Sequence, residues 1–528
     1  MVAAGMRRSG STEKMCPEFR RSVLASIAAC VLAATPAAMA SGNDDADFSG
    51  NRLWASQLKD YAVQSLHNED AMSMAAIPLN GPGINQYINA DTLMSPGSIM
   101  KLVTTFAALE ILGPNHHWDT DFLTDGVMVG DTLQGNLYVR FGGDPKLTIE
   151  RLWTTLGELR SMGIIRIDGN LILDGTYFEV DGGFPSFEDN GDNRHAPFLV
   201  EPSAYLTNLN LMHFQVRADE RGTQAWSTPS LGEVLIDNRV VAMEEGPCPS
   251  RRSFEWEPII HEDHRVTVRV TGELPQGCRT ATYLSLLPHE QYSASLIRSL
   301  LADLGVVVSG SNLNGVTPED ARLVMKTTSP DLVTMVRDIN KWSSNVMARQ
   351  LLLTIGAENR MEDENDDRVA GIRVVYDWLE GKGINTAGMV IDNGAGLTRH
   401  GRITARTEDA EGRPQILQHA WNSAYSADLM ASMPIIAMDG TMVHRLRNTG
   451  MDGEGRIKTG YLENVRSIAG FTRDANNTTW AVVGMVNNDP AWNGQAVLDR
   501  ILYSLHFRPP TGTAISHAAS GASKTSIQ

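Results

Sequence analysis

Residues 94–114 read MSPGSIMKLVTTFAALEILGP and carry the clearest structural signal in the chain. Ser98 and Lys101 stand three positions apart, and the residues from there to Leu112 are almost all apolar. A Gly-Pro dipeptide follows at once, which is typical of the end of a helix. The pattern predicts a buried helix from Ser98 to Leu112 that carries a lysine one turn from its start.

A charged lysine on a buried helix is costly unless it is paired or used in chemistry. At this spacing Ser98 and Lys101 lie on one face of the helix. A serine hydroxyl becomes a nucleophile when a nearby base takes its proton, and a lysine can do this if burial lowers its pKa. The alternative is a surface lysine whose stem covers apolar groups. The spacing alone does not decide, because it also occurs at Ser11 with Lys14 and at Ser56 with Lys59.

Two more short motifs follow along the chain. The first is Ser343-Ser344-Asn345, which offers a hydroxyl and an amide at the head of a predicted helix, or simply an N-cap. The second is Lys458-Thr459-Gly460, which occurs once in the chain, on a predicted strand where glycine lets a ligand backbone approach closely. Its alternative interpretation is a surface strand that ends in a turn.

The three motifs, in this order, resemble the signature of penicillin-recognising serine acyl enzymes. The chain is similar in particular to the class C low-molecular-mass penicillin-binding proteins, the D-alanyl-D-alanine carboxypeptidase/endopeptidases. Ser98 and Ser343 are 245 positions apart, a gap that resembles the members with extra domains between the first two motifs. Further similar stretches are GNLYVRFGGDPKLT, LILDGTYF, DNGAGLTRHGRIT, MPIIAMDGTMVHRLR and RSIAGFTR.

The resemblance implies an acyl-transfer mechanism. Ser98 would attack the carbonyl between two D-alanine-type residues, with Lys101 as the general base. Burial and the positive charge of Lys458 would keep Lys101 neutral. Ser343 would relay a proton to the leaving amine, and Asn345 would orient the substrate amide. The substrates would be peptidoglycan stem peptides and cross-links, with β-lactam antibiotics as covalent inhibitors and without a cofactor or metal.

The resemblance also implies substrate-binding roles for the Lys-Thr-Gly motif. Lys458 and Thr459 would favour the terminal carboxylate of a substrate, and Gly460 would permit its close approach. Backbone N–H groups of Ser98 and Tyr461 would form the oxyanion hole. Tyr461 departs from the family, which usually has Thr or Ser there, and this departure could favour cleavage of cross-links.

The fold expected from this resemblance is α/β. A penicillin-recognising transpeptidase-like domain, with an antiparallel sheet flanked by helices, would be interrupted by a β-rich inserted region. Helical periodicity returns over residues 292–305 and 329–358, and apolar runs near the end of the chain predict antiparallel strands. The predicted parts are a signal peptide (1–40), the domain's first part (41–112), the insertion (113–285), its second part (286–508) and a disordered tail (509–528).

The N-terminal residues predict export. A pair of arginines, Arg20 and Arg21, precedes an apolar run, and Ala38-Met39-Ala40 has the small-x-small pattern of a cleavage site. We therefore expect a signal peptide cleaved after Ala40 and a periplasmic protein without a transmembrane anchor. The apolar run is shorter than the roughly 20 residues that an anchor needs. Lipid attachment at Cys30 is the other alternative.

The charge and the cysteines fit an exported protein. The formal net charge is -17, and the first 40 residues carry five basic and two acidic side chains, so the remainder has about -20. Such a chain repels nucleic acid. Only Cys248 and Cys278 lie beyond the signal peptide, which predicts a disulfide in an oxidising compartment, or else two buried thiols.

Three other functions compete with the enzyme. One is a sensor that penicillin acylates without turnover, and another is a β-lactamase, which the absence of Glu-x-x-x-Asn between Ser343 and Lys458 disfavours. The last is a secreted structural protein with chance motifs. Asp174, Asp189 and Asp192 are candidates for recognising a diamino-acid side chain in the insertion, with surface turns as their alternative role.

Overall fold

The computed structural model describes residues 55–181, 183, 184, 187, 194–406, 415–489 and 491–507. The predicted signal peptide, Cys30, Asp189, Asp192 and the predicted tail lie outside these ranges. Within them, no helix is long and apolar enough to cross a membrane.

Twenty strands and ten α-helices form in the described ranges. The helices are α1 Ala55–Leu66, α2 Met100–Ile111, α3 Ile149–Ser161, α4 His289–Asp303, α5 Leu332–Trp342, α6 Asn345–Ala357, α7 Asp367–Gly381, α8 Gln415–Asn422, α9 Ser426–Ser432 and α10 Gly494–Phe507. The strands are β1 Met72–Pro78, β2 Gln86–Ile88, β3 Asp119–Thr124, β4 Val127–Val129, β5 Thr132–Gln134, β6 Leu137–Phe141, β7 Arg166–Asp168, β8 Leu171–Asp174, β9 Met212–Asp219, β10 Gly222–Thr228, β11 Val234–Met243, β12 Glu255–Ile260, β13 Val266–Pro275, β14 Arg279–Leu284, β15 Val307–Val308, β16 Asn312–Asn314, β17 Arg322–Thr328, β18 Gly455–Leu462, β19 Val465–Arg473 and β20 Thr479–Asn487.

The sheet that carries the Lys458-Thr459-Gly460 motif combines strands from distant parts of the sequence. Its order is β18-β19-β20-β1-β2, and every neighbouring pair is antiparallel. Val482 of β20 pairs with Ala76 of β1 on one side and with Gly470 of β19 on the other. The central strands β19 and β20 are buried along almost their whole length, which explains why both are apolar on both faces.

Helices α1 and α10 cover one face of this sheet. Leu58 and Leu66 of α1 and Leu498 of α10 join Ile457 and Val482 of the sheet in one buried cluster. Because side chains alternate along a strand, Lys458 and Gly460 lie on the opposite side of β18 from Ile457. The side chain of Lys458 and the Cα of Gly460 thus lie on the face that α1 and α10 leave uncovered.

The chain between β2 and β18 adds four sheets. Two of them, β16-β8-β6-β3-β17 and β15-β7-β5-β4, share a core with α3 and α4 that includes Leu133, Leu137, Leu152 and Leu296. The other two, β10-β9-β14 and β11-β13-β12, enclose a smaller core around Val216 and Val270. The mixed α/β architecture with an additional β-rich region agrees with the expected fold class, while the exact domain boundaries remain predictions.

Two features differ from the sequence interpretation. The helical pattern over residues 329–358 is two helices, α5 and α6, separated at Ser343. Ser343 is left-handed, with φ of 59°, a conformation that a continuous helix cannot contain. The short helices α8 and α9 had no counterpart in the predicted pattern.

Candidate active site

Ser98 lies at the mouth of the predicted buried helix. It belongs to a 3-10 turn, Gly97–Ile99, that leads directly into α2. Lys101 follows in the first turn of α2 and is 0% exposed. Its Nζ lies 2.8 Å from the Oγ of Ser98, so the structure brings the two predicted residues into direct contact.

Two further groups fix the position of the Lys101 amine. Nζ donates to Asn345 Oδ1 at 2.7 Å and to the carbonyl oxygen of Ala395 at 2.7 Å. Both of these oxygens can only accept, whereas the Ser98 hydroxyl can also donate. A neutral amine therefore fits the site well, since it donates to the two carbonyl oxygens and its lone pair faces the Ser98 hydroxyl.

Burial and positive neighbours favour this neutral form. The pKa of Lys101 is held well below its usual range, first by burial and then by the charges of Lys458 and Arg349. Within the described ranges, no salt bridge involves Lys101. The lowered pKa is the property that a general base needs near neutral pH.

The second catalytic motif places its serine in the break between α5 and α6. Lys458 Nζ donates to Ser343 Oγ at 2.7 Å and to the carbonyl oxygen of Thr459 at 2.8 Å. Burial lowers the pKa of Lys458 to about 7. The N-cap of α6 is the next residue, Ser344, whose hydroxyl accepts from the N–H of Met347. Ser344 thus caps helix α6, and Ser343 contacts Lys458.

Asn345 connects the catalytic lysine with the inserted region. Its Oδ1 accepts from Lys101, and its Nδ2 donates to the carbonyl oxygen of Phe198 at 3.0 Å. The amide has a second N–H, which leaves one donor for a substrate carbonyl. Nearby, Gln350 of α6 donates to Ser203 O at 2.8 Å and accepts from Ser203 N at 2.9 Å. Helix α6 therefore holds this segment of the insertion against the site.

Gly460 allows the strand β18 to approach the nucleophile. A Cβ atom at this position would lie 2.1 Å from Ser467 Oγ and 2.9 Å from the backbone nitrogen of Ser98. A larger residue would fit only if the Ser467 side chain and the backbone at Pro96 and Ser98 moved away from β18. The close approach is the reason why the sequence has glycine here, and it brings Ser98 next to the strand that carries Tyr461.

The side chain of Tyr461 contacts Arg466 on the neighbouring strand β19. Tyr461 pairs with Arg466 in the antiparallel register, and the Arg466 guanidinium lies 3.6 Å from the centre of the tyrosine ring. The tyrosine side chain is 43% exposed. The substrate-binding role predicted for its side chain remains a prediction.

Arg349 was not recognised from the sequence. It lies one turn after Asn345 on α6, is 6% exposed and donates to Val200 O at 3.3 Å. Burial lowers its pKa to about 10, and no salt bridge involves it in the described ranges. The signal that could have revealed it is the one that revealed Lys101, a basic residue on an otherwise apolar helix.

The structure describes only one of the three aspartates that are candidates for recognising a diamino-acid side chain. Asp174 is buried, and its two carboxylate oxygens accept hydrogen bonds from Thr176 and Thr317. These contacts fix the loops that follow β8 and β16, which is a structural role. Asp189 and Asp192 lie outside the described residues.

The two cysteines lie together at the edge of the smaller β-rich core, with Cys248 exposed and Cys278 buried. The Sγ atoms of Cys248 and Cys278 are 2.01 Å apart, as expected of a disulfide. Cys278 is buried with Val216 and Val270 in that core. No group of His, Cys, Asp and Glu side chains in the described ranges is arranged to hold a metal ion.

Comparison with known proteins gives the family. A model described as the D-Ala-D-Ala carboxypeptidase 3 (S13) family matches residues 65–504. The chain belongs to this family. The D-Ala-D-Ala carboxypeptidase 3 family members are serine-type carboxypeptidases, so the sequence-based assignment to an enzyme of this class is confirmed. The chain is a serine acyl-enzyme hydrolase of peptidoglycan peptides.

Individual relatives of this carboxypeptidase agree with the family match. A D-alanyl-D-alanine carboxypeptidase of Actinomadura sp. is 28% identical over 456 residues, which cover 81% of this chain and 80% of the relative. A D-alanyl-D-alanine carboxypeptidase of Haemophilus influenzae is 26% identical over 440 residues, which cover 80% and 87%. The crystal structure of penicillin binding protein 4 from Haemophilus influenzae matches with a TM-score of 0.68 and 23% identity, covering 85% of this chain and 98% of that one. This structural match establishes a shared fold.

Proposed function

We propose that the enzyme is a periplasmic DD-carboxypeptidase and DD-endopeptidase in which Ser98 is the nucleophile. The observation that carries the proposal is the contact between a fully buried Lys101 and Ser98, next to a second contact between Lys458 and Ser343. A buried amine with a lowered pKa has no structural advantage over an apolar side chain. Its retention beside a serine hydroxyl is explained by catalysis.

The acylation step uses the lone pair that faces Ser98. Lys101 takes the hydroxyl proton while Oγ forms a bond to the carbonyl carbon between two D-alanine-type residues. The N–H groups of Ser98 and Tyr461 stabilise the resulting oxyanion, an effect typically worth about 3 kcal/mol. The C–N bond then breaks, and the proton held by Lys101 reaches the leaving amine through Ser343.

Hydrolysis of the acyl-enzyme repeats the sequence with water. Lys101, neutral again, takes a proton from water as the water oxygen bonds to the acyl carbon. The bond to Ser98 Oγ breaks, and the proton returns to that oxygen. The released acid ionises to a carboxylate, and the enzyme is restored. Asn345 orients the substrate amide, and Lys458 and Thr459 favour a terminal carboxylate.

The location and the disulfide complete the proposal. The N-terminal pattern supports export with cleavage after Ala40, and the short Cys248–Cys278 contact supports an oxidising compartment. We place the catalytic domain at residues 41–112 and 286–508 and the insertion at 113–285. Strands β1, β2 and β18–β20, which share one sheet, support a domain made of two distant parts of the chain. Helix α4 and strands β15–β17 pack or pair with β3–β8, which favours an insertion that extends past residue 285 to Thr328.

The decisive experiment compares two serines of the same local motif. Ser56 precedes Lys59 with the spacing of Ser98 and Lys101, but it lies exposed on α1. We expect Ser98→Ala to abolish labelling by a fluorescent penicillin and Ser56→Ala to leave it unchanged. The parent protein should release D-alanine from a pentapeptide and cleave a cross-linked muropeptide.

The other outcomes each exclude part of the proposal. Labelling that persists in Ser98→Ala would exclude this serine as the nucleophile. Labelling of the parent protein without D-alanine release or cross-link cleavage would favour the non-turnover sensor. Rapid loss of the penicillin label by hydrolysis would favour a β-lactamase.

A further inference from the structure

The segment Pro434–Met442, here called the edge segment, lies along the free edge of β18. Ile457 N donates to Pro434 O at 2.8 Å, and Ile435 forms an isolated bridge with Arg456. The segment belongs to the stretch MPIIAMDGTMVHRLR, which the sequence singled out without a role. The edge segment brings Thr441 next to the Lys-Thr-Gly motif.

An ion pair holds the edge segment in place. Lys341, at the end of α5, is 5% exposed, and its Nζ lies 2.6 Å from Asp439 Oδ2. The other oxygen of Asp439 accepts from Ile435 N at 2.7 Å. The next residue, Gly440, is left-handed with φ of 53°, and a Cβ there would lie 2.6 Å from Lys341 O. Thr441 is therefore presented by a rigid turn.

The hydroxyls of Thr441 and Thr459 form a pair with one free hydrogen. Thr459 Oγ1 donates to Thr441 Oγ1 at 2.7 Å. Each hydroxyl has a single hydrogen, so Thr459 has none left for a ligand while this bond persists. Among the described residues, no other hydrogen bond of Thr441 Oγ1 is formed. The hydrogen available for an anion is the one on Thr441, and the bond that Thr441 accepts strengthens it as a donor.

Tyr461 does not supply a hydroxyl to the same place. Residues 459 and 461 lie on the same side of β18 because side chains alternate along a strand. The ring of Tyr461 stacks on Arg466 instead, at 3.6 Å. Lys458, whose Nζ contacts Ser343 and the carbonyl oxygen of Thr459, provides the nearby cation.

We propose that Thr441 is a specificity-determining residue that donates a hydrogen bond to the terminal carboxylate of the leaving D-alanine, beside Lys458. This inference rests on the proposed carboxypeptidase function. Thr459 acts through Thr441 by donating to its oxygen. The edge segment thus supplies the hydroxyl that position 461 lacks.

The test compares a peptide that ends in D-alanyl-D-alanine with the same peptide as its terminal carboxamide. We expect Thr441→Val, which keeps the shape, to raise KM for the carboxylate peptide by about ten- to a hundredfold, the range for a hydrogen bond to a charged group. Its kcat, and its KM for the carboxamide, should stay unchanged. Thr441→Ser should restore the parent KM. Thr449→Val, whose hydroxyl bonds only to Leu446 O nearby, is the matched control.

The outcomes separate this inference from the proposed function. A parent protein that releases no D-alanine would refute the function itself. A parent protein that is active but has equal KM values for the two peptides would overturn the role of Thr441, whatever the variants do. Equal losses on both peptides in Thr441→Val, or no rescue by Thr441→Ser, would also overturn it.

Discussion

The candidate active site contains three buried basic residues, Lys101, Lys458 and Arg349. Lys101 and Lys458 are 0% exposed and Arg349 is 6% exposed, and none of them forms a salt bridge within the described part of the chain. Burying a charge without a partner is among the more costly arrangements in a protein. At Lys101 and Lys458 burial lowers the pKa of the amine. An amine that has lost its proton avoids the cost of a buried charge and can accept a proton from another group.

Removing the charge of Arg349 should move the pH dependence of acylation. Acylation needs neutral Lys101, so its rate rises with pH through the pKa of that lysine. Arg349 contributes to the lowering of this pKa, and in Arg349→Gln the pKa should rise toward its usual range. The midpoint of penicillin acylation against pH should therefore lie at higher pH in Arg349→Gln.

The charge-conserving variant is the control for this effect. Arg349→Lys should keep the midpoint of the parent protein, even if its maximum rate is lower. An unchanged midpoint in Arg349→Gln would contradict an electrostatic role for Arg349.

The affinity for carboxylate substrates should weaken on the alkaline side. The pKa of Lys458 is about 7, so the free enzyme holds a positive charge there below this pH and loses it above. A bound carboxylate favours the protonated form. Between pH 6 and pH 9, KM for the carboxylate peptide should rise above about pH 7, while KM for the carboxamide should not. A flat profile for both peptides would contradict carboxylate binding by Lys458.

At the scale of elements, the break between α5 and α6 sets the position of Ser343, the residue that we propose as the proton relay. The left-handed conformation of Ser343 costs roughly 1 kcal/mol for a residue with a Cβ. It turns the hydroxyl toward Lys458, 2.7 Å away, and starts a new helix at Asn345. In a continuous helix the Ser343 hydroxyl could not turn toward Lys458 independently of the Asn345 amide.

Two substitutions at Ser343 distinguish the effect of its backbone strain on stability from the effect of its hydroxyl on the reaction rate. Ser343→Gly and Ser343→Ala both remove the hydroxyl, but only glycine relieves the left-handed strain. We expect the glycine variant to have the higher melting temperature. Both should release D-alanine about a hundredfold more slowly, at the lower end of the range for a lost proton-transfer group.

A substitution at the neighbouring Ser344 should affect stability and not activity. Ser344→Ala removes the N-cap of α6 and should cost about 1 kcal/mol of stability with D-alanine release retained. Full turnover in Ser343→Gly would show that the hydroxyl of Ser343 is dispensable.

The sequence predicted those features of the site that depend on local spacing and composition. Ser98 and Lys101 could be found because three positions on one helix define a contact by themselves. Ala395 and Thr441 come from elements whose approach is set by tertiary packing, so no spacing in the sequence points to them, whereas Arg349 could have been found as a basic residue on an apolar helix. The break at Ser343 was missed for the same reason, because its bond to Lys458 is more than a hundred positions distant.

At the scale of the whole molecule, the catalytic sheet and the β-rich cores are separate clusters of buried residues. Of the close pair, Cys278 belongs to the smaller of the β-rich cores, together with Val270, and it lies against the exposed Cys248. Among the described residues, neither cysteine contacts the cluster around Ser98. A stabilising link in that core should therefore have little influence on the chemistry.

Removal of the cysteine pair should affect stability alone. The double variant Cys248→Ser/Cys278→Ser should unfold at lower temperature, with a loss of about 4 kcal/mol for a loop of this length. Its initial rate of penicillin labelling at 25 °C should equal that of the parent protein. Thiol titration of the native protein that begins at Ser41, and so lacks Cys16 and Cys30, should find no free thiol; two titratable thiols, or a slower label, would contradict this expectation.

The distribution of the catalytic sheet over the sequence has a consequence for the order of folding. Strand β1 finds its partner β20 only when residue 487 has been made, and Lys458 belongs to the same late segment. Ser98 and Lys101 are therefore made long before Lys458, whose charge lowers the pKa of Lys101, and such long-range pairing is slow. We expect a chain truncated before β18 not to be acylated, so that the fluorescent penicillin label would mark molecules in which this sheet has formed.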